Sequence, residues 1–196
     1  MVATGMRLLV CLMLFGAWRA VSAAPILDTT PAAASEGEYY RLVKIPIPEG
    51  IVLEAGAMDW MPDGRLAVST RRGEIYLVEN VLHEPASGVQ FKRFASGMHE
   101  VLGLAYRDGS LYAAQRGELT RLTDTDGDGR ADTFETVADG WDISGDYHEY
   151  TFGSHFDPHG DLWLTLCLTG SFSSPVKYRG WCLRYTKDGK LVPTAH

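Results

Sequence analysis

A short phrase occurs three times in the 196-residue chain, and that recurrence limits its fold more than any other feature. The copies are Asp63-Gly64-Arg65-Leu66-Ala67-Val68-Ser69-Thr70, Asp108-Gly109-Ser110-Leu111-Tyr112-Ala113-Ala114-Gln115 and His159-Gly160-Asp161-Leu162-Trp163-Leu164-Thr165-Leu166. Their turn glycines are 45 and 51 residues apart. Self-similarity at a period of about 45 residues marks a repeat architecture. Each copy follows an apolar strand-like segment: Ala55–Trp60, Val101–Tyr106 and Tyr150–Phe156. Asp-Gly or His-Gly between two such runs is a hairpin signal. A third strand follows at 73–78, 117–122 and 180–185, and weaker outer strands lie near 89–94 and 132–137. Four short antiparallel strands per unit is the pattern of a β-propeller blade. A meander or sandwich would not bring back one phrase at near-constant spacing. The expected fold is therefore all-β, a partial β-propeller of about three four-stranded antiparallel blades.

The rest of the chain fits around this domain. Residues 1–23 combine Arg7, the eleven-residue apolar run Leu8–Trp18 and the small-residue end Val21-Ser22-Ala23. That is the layout of a cleaved signal peptide. The run is shorter than the ~20 apolar residues of a spanning helix, and Cys11 lies too deep in it to be a lipid acceptor. The protein is expected to be exported, periplasmic or extracellular, with no transmembrane segment in the mature chain. Residues 24–38 read as a flexible leader, and 39–196 as the incomplete propeller. Tyr39–Ile47 alternates like a further strand, of the kind that completes a last blade. Propellers have ~4–8 blades. Three units make part of a ring, and the sequence stops at His196, where an outer strand should be developing.

Charge narrows the partners. Removal of 1–23 takes away Arg7 and Arg19 and no acid, which moves the net charge from −7 to −9. Phosphate backbones need a basic surface, so nucleic acid is not an expected partner. Cys167 and Cys182 remain after export and could form a disulfide or act as two small hydrophobes.

Two polar clusters carry the chemistry. Asp124-Thr125-Asp126-Gly127-Asp128-Gly129-Arg130-Ala131-Asp132-Thr133-Phe134-Glu135 fits the twelve-residue Ca²⁺ loop at every specified position. Ca²⁺ takes six to eight hard oxygens. Asp124, Asp126 and Asp128 would supply alternate carboxylates, and Arg130 its backbone carbonyl. Asp132 would act directly or through water, and Glu135 in bidentate fashion. The flanks read as strands, so the expectation is a structural Ca²⁺ loop within a blade connection. The plain alternative is a solvated acidic turn. Elsewhere, His99-Glu100 and His148-Glu149 sit just ahead of two inner strands, where blade loops form the channel mouth. A histidine there can take a proton from a hydroxyl substrate, which makes His148 the candidate base. The bland reading is hydrogen-bonded residues that steady loop crossings. His148, His155 and His159 have H-x₆-H-x₃-H spacing, which matches no tight zinc signature. The sequence has no G-x-S-x-G, no C-x-x-C-H and no Gly-rich phosphate loop.

Three stretches, Met98–Ala105, Asp124–Glu135 and Gly145–Gly153, together resemble exported bacterial propellers of the glucose/sorbosone dehydrogenase-like group, above all those of planctomycete-type bacteria. The resemblance spans about 39–196. It implies a six-bladed ring that oxidises a sugar or aldehyde with pyrroloquinoline quinone (PQQ), and a c-type haem module in a C-terminal part beyond this chain. It places His148 where such proteins hold the base that abstracts the substrate proton. His99 and Glu100 match a region that touches cofactor or substrate, with different residue types. By the same resemblance the chain is an N-terminal fragment, inactive alone. A non-catalytic propeller that binds carbohydrate or protein through its channel face is the alternative.

Overall fold

The computed structural model describes residues 35–167 and 176–195. The expected signal peptide and most of the expected leader lie outside the described residues. Three four-stranded antiparallel sheets follow one another along the chain, each with its strands in sequence order. Blade 1 contains β1 (Ala55–Trp60), β2 (Leu66–Thr70), β3 (Ile75–Glu79) and β4 (Gln90–Ala95). Blade 2 contains β5 (Gly103–Arg107), β6 (Ser110–Ala114), β7 (Leu119–Thr123) and β8 (Thr133–Ala138). Blade 3 contains β9 (Thr151–Phe156), β10 (Leu162–Leu166), β11 (Cys182–Tyr185) and β12 (Leu191–Ala195). The expected partial propeller is thus the observed one, and β12 supplies the outer strand of the third blade.

The first strand of each blade is innermost, since β1 packs on β5 and β5 on β9. Each of these strands carries a glycine, Gly56, Gly103 and Gly153, and the first two allow the strands to approach closely. A Cβ on Gly56 would sit 2.2 Å from the Val101 carbonyl oxygen, and one on Gly103 only 1.7 Å from that of Gly153. Real side chains do not fit at such distances, so the inner strands depend on hydrogen at Gly56 and Gly103, while Gly153 meets no such contact and has a φ of 65°.

The core lies between blades. Ala67, Ile75 and Leu77 of blade 1 pack with Leu104, Leu111 and Leu122 of blade 2. Ala105, Ala114 and Leu119 of blade 2 pack with Leu162, Leu164 and Leu183 of blade 3. The alternation in the repeated phrase explains this sharing. In blade 2, Leu111 and Ala113 face blade 1 while Ala114 faces blade 3, as period-two side chains must. Both faces of a middle blade are therefore buried, and its strands read as nearly continuous apolar runs.

Two expectations need correction. Tyr39–Ile47 is not a strand. Glu36–Tyr39 forms a single helical turn, α1, with the Ser35 N–H donating to the Glu38 carboxylate at 3.2 Å, and 40–48 have no regular structure. A strand needs a neighbour for its N–H and C=O groups, and none of the described strands pairs with this segment. The chain divides into two units, Met1–Arg41 and Leu42–His196. Within the second unit, Ile45 and Leu53 pack on Val68, Val78 and Val89 of blade 1. The second correction concerns the cysteines. Cys167 and Cys182 are two thiols and not a disulfide. Cys182 pairs with Thr165, so Cys167 lies two positions further along the ladder. That diagonal is ~7–8 Å, beyond the reach of a disulfide.

Candidate functional site

Strand register divides the three blades into two rims. Ala55 pairs with Thr70, Gly103 with Ala114, and Thr151 with Leu166. The segments just before the inner strands therefore share a rim with the turns that follow β2, β6 and β10. We term this the loop rim. At the opposite, turn rim lie the Asp-Gly and His-Gly turns and the acidic loop between β7 and β8.

The loop rim gathers side chains from all three blades. Glu100 is at its centre, in the left-handed region with φ 50°. Its Oε2 accepts from Arg116 Nη1 at 3.0 Å, and Oε1 lies 3.4 Å from Arg71 Nε. His99 Nε2 stands 3.7 Å from Oε2. Arg116 also donates to the Asp146 carbonyl oxygen and lies 5.2 Å from the Tyr150 ring centroid. The Glu100 carboxylate, with Tyr147 and Tyr150 beside it, holds the Arg71 guanidinium above its ordinary pKa. Desolvation, the hydrogen bond with Tyr147 and the Glu100 charge push the Tyr150 phenol upward.

His148 sits on the 142–150 loop. Its N–H donates to Asp146 Oδ1 at 3.0 Å, and its Nδ1 lies 3.8 Å from the same oxygen. That second distance is electrostatic contact rather than a hydrogen bond. The imidazole is about half exposed and its edge meets the Tyr147 ring. His99 is similarly exposed. Both histidines therefore reach solvent at the loop rim. They do not share one pocket: His99 lines an open cleft of about 660 Å³ with Glu118, Asp139 and Trp141, and His148 does not.

The two glutamates behave differently from their expected role at the mouth. Glu149 is fully buried. Its oxygens accept from the Ser144 N–H at 2.6 Å and the Ser144 hydroxyl at 2.7 Å, which closes its own loop. Glu100 is mostly enclosed by its arginines. Burial of a carboxylate is tolerated only where donors surround it, and both are so surrounded. Of the four residues expected at the mouth, the histidines present their side chains and the glutamates brace the loops.

The sequence reading did not single out Arg71, Arg116 or Arg179. A signal for two of them exists: Arg71 and Arg116 each lie seven residues after the turn glycine of their copy of the phrase. Cys167 occupies that place in the third copy, and Arg179 supplies the guanidinium there. Arg179 is buried, donates to the Asp142 carbonyl at 2.7 Å, and is held below its ordinary pKa by desolvation.

At the turn rim, Asp124, Asp126 and Asp128 converge, with one carboxylate oxygen from each within 4.8 Å of the others. The Asp124 oxygens accept the Gly127 and Gly129 N–H groups at 2.7 and 2.9 Å. Asp126 accepts the Asp128 N–H, and Asp128 that of Arg130. Gly127 and Gly129 have φ of 79° and 89°, which allows the tight winding. The remaining expected ligands do not join this group. Asp132 Oδ2 takes the Thr125 N–H and hydroxyl, both at 2.8 Å, and these bonds lower its pKa. Glu135 lies on β8 opposite Arg121 and forms an ion pair with it. The strand continues through the last position of the motif, so Glu135 follows the sheet and not the loop. The Ala131 N–H bonds to the Phe94 carbonyl at 2.9 Å and ties the loop to blade 1.

Comparison with known proteins bears on the fold. No family profile and no curated protein matches the sequence. Among solved structures, the chain is similar to a protein named as an oxidoreductase (glucose dehydrogenase) from Thermus thermophilus. The TM-score is 0.53 at 21% identity, over 69% of this chain and 45% of that one. It is similar to a protein named as a gluconolactonase, with TM-score 0.51 and 18% identity over 72% and 48% of the two chains. A luciferin-regenerating enzyme gives TM-score 0.50 at 12% identity over 72% and 45%. The chain spans about half the length of these structures. At such identities the likeness is one of fold, and it agrees with the three blades described above.

Proposed function

We propose that this chain is the N-terminal part of an exported β-propeller enzyme that oxidises a sugar or an aldehyde, and that it is inactive alone. The observation that carries the reading is the half-exposed His148 on the loop rim, with Asp146 beside its Nδ1. A carboxylate on one side of an imidazole favours the tautomer whose other nitrogen can accept a proton. In this reading Nε2 of His148 takes the hydroxyl proton of the substrate. PQQ, when bound, supplies the hydride acceptor. The half-exposed cations Arg71 and Arg72 on the same rim suit an anionic quinone in charge. Further contacts would come from blades beyond those described. The resemblance of the sequence to the planctomycete-type glucose/sorbosone dehydrogenase-like group, with its signal peptide and C-terminal c-type haem module, supports the same reading and an exported location.

The test uses the full-length protein, reconstituted with PQQ and Ca²⁺ and assayed by dye reduction with aldoses. Turnover that falls at least about a hundredfold in His148→Ala supports the assignment. Absence of turnover, or turnover indifferent to His148→Ala, removes it. Turnover by residues 24–196 alone would remove the claim that the fragment is inactive.

A second reading has an observation of its own. Tyr147, Tyr150 and Phe152 form a ring ladder with centroids 5.9 and 5.8 Å apart, the first pair edge-on and the second tilted, and Tyr147 and Phe152 are exposed. Exposed rings of this kind offer a stacking face to carbohydrate or protein. Calorimetric binding of sugars without turnover in the full-length protein would favour this binding module.

The acidic loop is a separate proposal. Three converging carboxylates form the hard-oxygen set that Ca²⁺ prefers, and the role would be structural. The ion would sit at the turn rim, opposite the histidines, so this is not a cofactor calcium. Calorimetry on 24–196 should show one Ca²⁺ site that Asp126→Ala weakens, and a flat titration rejects it.

A further inference from the structure

Each blade carries a glutamate just ahead of its first strand and an arginine at the same rim. In blade 1, Glu54 meets Arg72 at 3.1 Å with both side chains about half exposed. In blade 2, Glu100 meets Arg116 at 3.0 Å with exposures of only 15% and 12%. In blade 3, Glu149 and Arg179 are both buried, and the carboxylate acts on the guanidinium through its charge. The middle arginine differs in its reach. Its N–H donates to the His99 carbonyl at 3.1 Å, and its carbonyl accepts from Trp141 Nε1 at 3.1 Å and the Thr151 hydroxyl at 3.0 Å. Its guanidinium joins Glu100 of its own blade to the Asp146 carbonyl of the next.

We propose that Arg116 is the positioning residue for His148. The path has two links. Arg116 fixes the Asp146 backbone through its carbonyl, and Asp146 Oδ1 in turn takes the His148 N–H. The His148 backbone, from which the imidazole projects, is thereby held relative to blade 2 as well as to its own loop. The far end of the device is Glu100, held in a left-handed conformation that a non-glycine residue adopts only when its surroundings impose it. Arg71 of blade 1 completes the anchor on Glu100 Oε1, so three blades meet in one charged contact. A planar guanidinium can satisfy a carboxylate and a carbonyl in two directions at once. An ammonium is a point charge without that fork, so lysine keeps the charge and loses the span.

The inference rests on the reading of His148 as the proton acceptor, but its first test does not use activity. In residues 24–196, amide hydrogen exchange is followed at His148 and Glu149, with Leu77 and Leu111 as core reporters. Arg116→Lys should speed exchange at His148 and Glu149 by about tenfold and leave the core reporters unchanged. Glu100→Gln, which leaves the Asp146 contact in place, should disturb 99–102 far more than 148–149. If the His148 and Glu149 amides do not respond to Arg116→Lys, or if they rise together with Leu77 and Leu111, Arg116 is ordinary glue between blades and the proposal falls. The second test uses the active full-length protein. Arg116→Lys should lower kcat at least about tenfold with KM held within about twofold. It should also add little to His148→Ala, because residues that act as a unit are not additive. Additive losses, or a change in KM alone, would overturn the positioning role. A full-length protein without turnover would remove the enzyme reading and leave the exchange result to decide whether Arg116 holds the loop.

Discussion

The two rims use the same residue type in different ways. At the turn rim, carboxylates of the hairpin turns act close to home. Asp63 Oδ1 accepts from Arg65 N at 3.0 Å, and Asp157 Oδ1 from His159 N at 2.8 Å and Asp161 N at 3.0 Å. Asp124, Asp126 and Asp128 bind amides within five residues of themselves. At the loop rim the arginine bonds are long-range: Arg71 to Glu100 spans 29 residues, Arg116 to Asp146 spans 30, and Arg179 to Asp142 spans 37. A local bond stabilises a turn that would form at low entropic cost in any case. The Arg71–Glu100 and Arg116–Asp146 bonds exist only after blades have docked, so they report and reinforce their arrangement. The Arg71–Glu100 and Arg116–Asp146 contacts of the loop rim therefore depend on inter-blade packing, while the local Asp turns of the other rim should tolerate its loss even though Ala131 and Asp59 also bond across blades there.

The largest way to break this contrast is at the strands that set both rims. Gly103→Ala forces a Cβ against the Gly153 carbonyl, and the seam between blades 2 and 3 must open. A loss of about 2–4 kcal/mol is expected, read from chemical denaturation. The loop rim should lose exchange protection before the Asp63 turn does. Equal loss at both would end the distinction.

Next is removal of one charge from the loop rim. Glu100→Ala leaves Arg116 mostly buried without its carboxylate, which should cost about 1–3 kcal/mol, below the range for a fully buried pair because some solvent reaches it. The equivalent change in blade 1, Glu54→Ala, removes an exposed pair and should cost under about 1 kcal/mol. Thermal unfolding of the two variants side by side sharpens the comparison within one rim. Equal effects would show that burial of the pair does not set its worth.

A smaller effect is expected at the turn rim. Saturating Ca²⁺ should raise the melting temperature of residues 24–196 by a few degrees through linkage, and Asp126→Ala should abolish that rise. No Ca²⁺ dependence in the parent chain would assign the loop to hydrogen bonding alone. Smallest is the pH response of Asp157. The Trp163 indole N–H, with backbone N–H groups of the turn, lowers its pKa to about 2 against an ordinary 3.8. A depressed carboxyl contributes stability that is complete above its unfolded pKa and lost as pH falls through the folded one. The contribution should fade between about pH 4 and 2, and Asp157→Asn should flatten that part of the stability profile. An unchanged profile would remove Asp157 from the acid transition.

Much of this was legible in advance where the cause was local. The hairpin glycines, the period-two alternation and the recurring phrase placed the strands of the first two blades and the first three of the third within a few residues. The turn of acidic residues was visible as a motif, yet Glu135 follows β8 because its partner Arg121 lies across the sheet. Tyr39–Ile47 had a strand's alternation and no strand to pair with. The place of His148 on the loop rim was legible from its position ahead of an inner strand. Arg116 was not, although its spacing from Gly109 repeats that of Arg71 from Gly64, since an arginine after a strand ordinarily points to water.

The sequence by itself determined the blade: its four strands, its tight turns and the apolar faces that neighbours must cover. Those follow from backbone preference and side-chain alternation, which act over a few residues. Only the tertiary structure decided which polar residues meet at the loop rim. The distance between Glu100 and Arg71, or between Arg116 and Asp146, depends on how closely β1, β5 and β9 pack. That approach is fixed by the space Gly56 and Gly103 leave, and those contacts form only once the blades lie side by side.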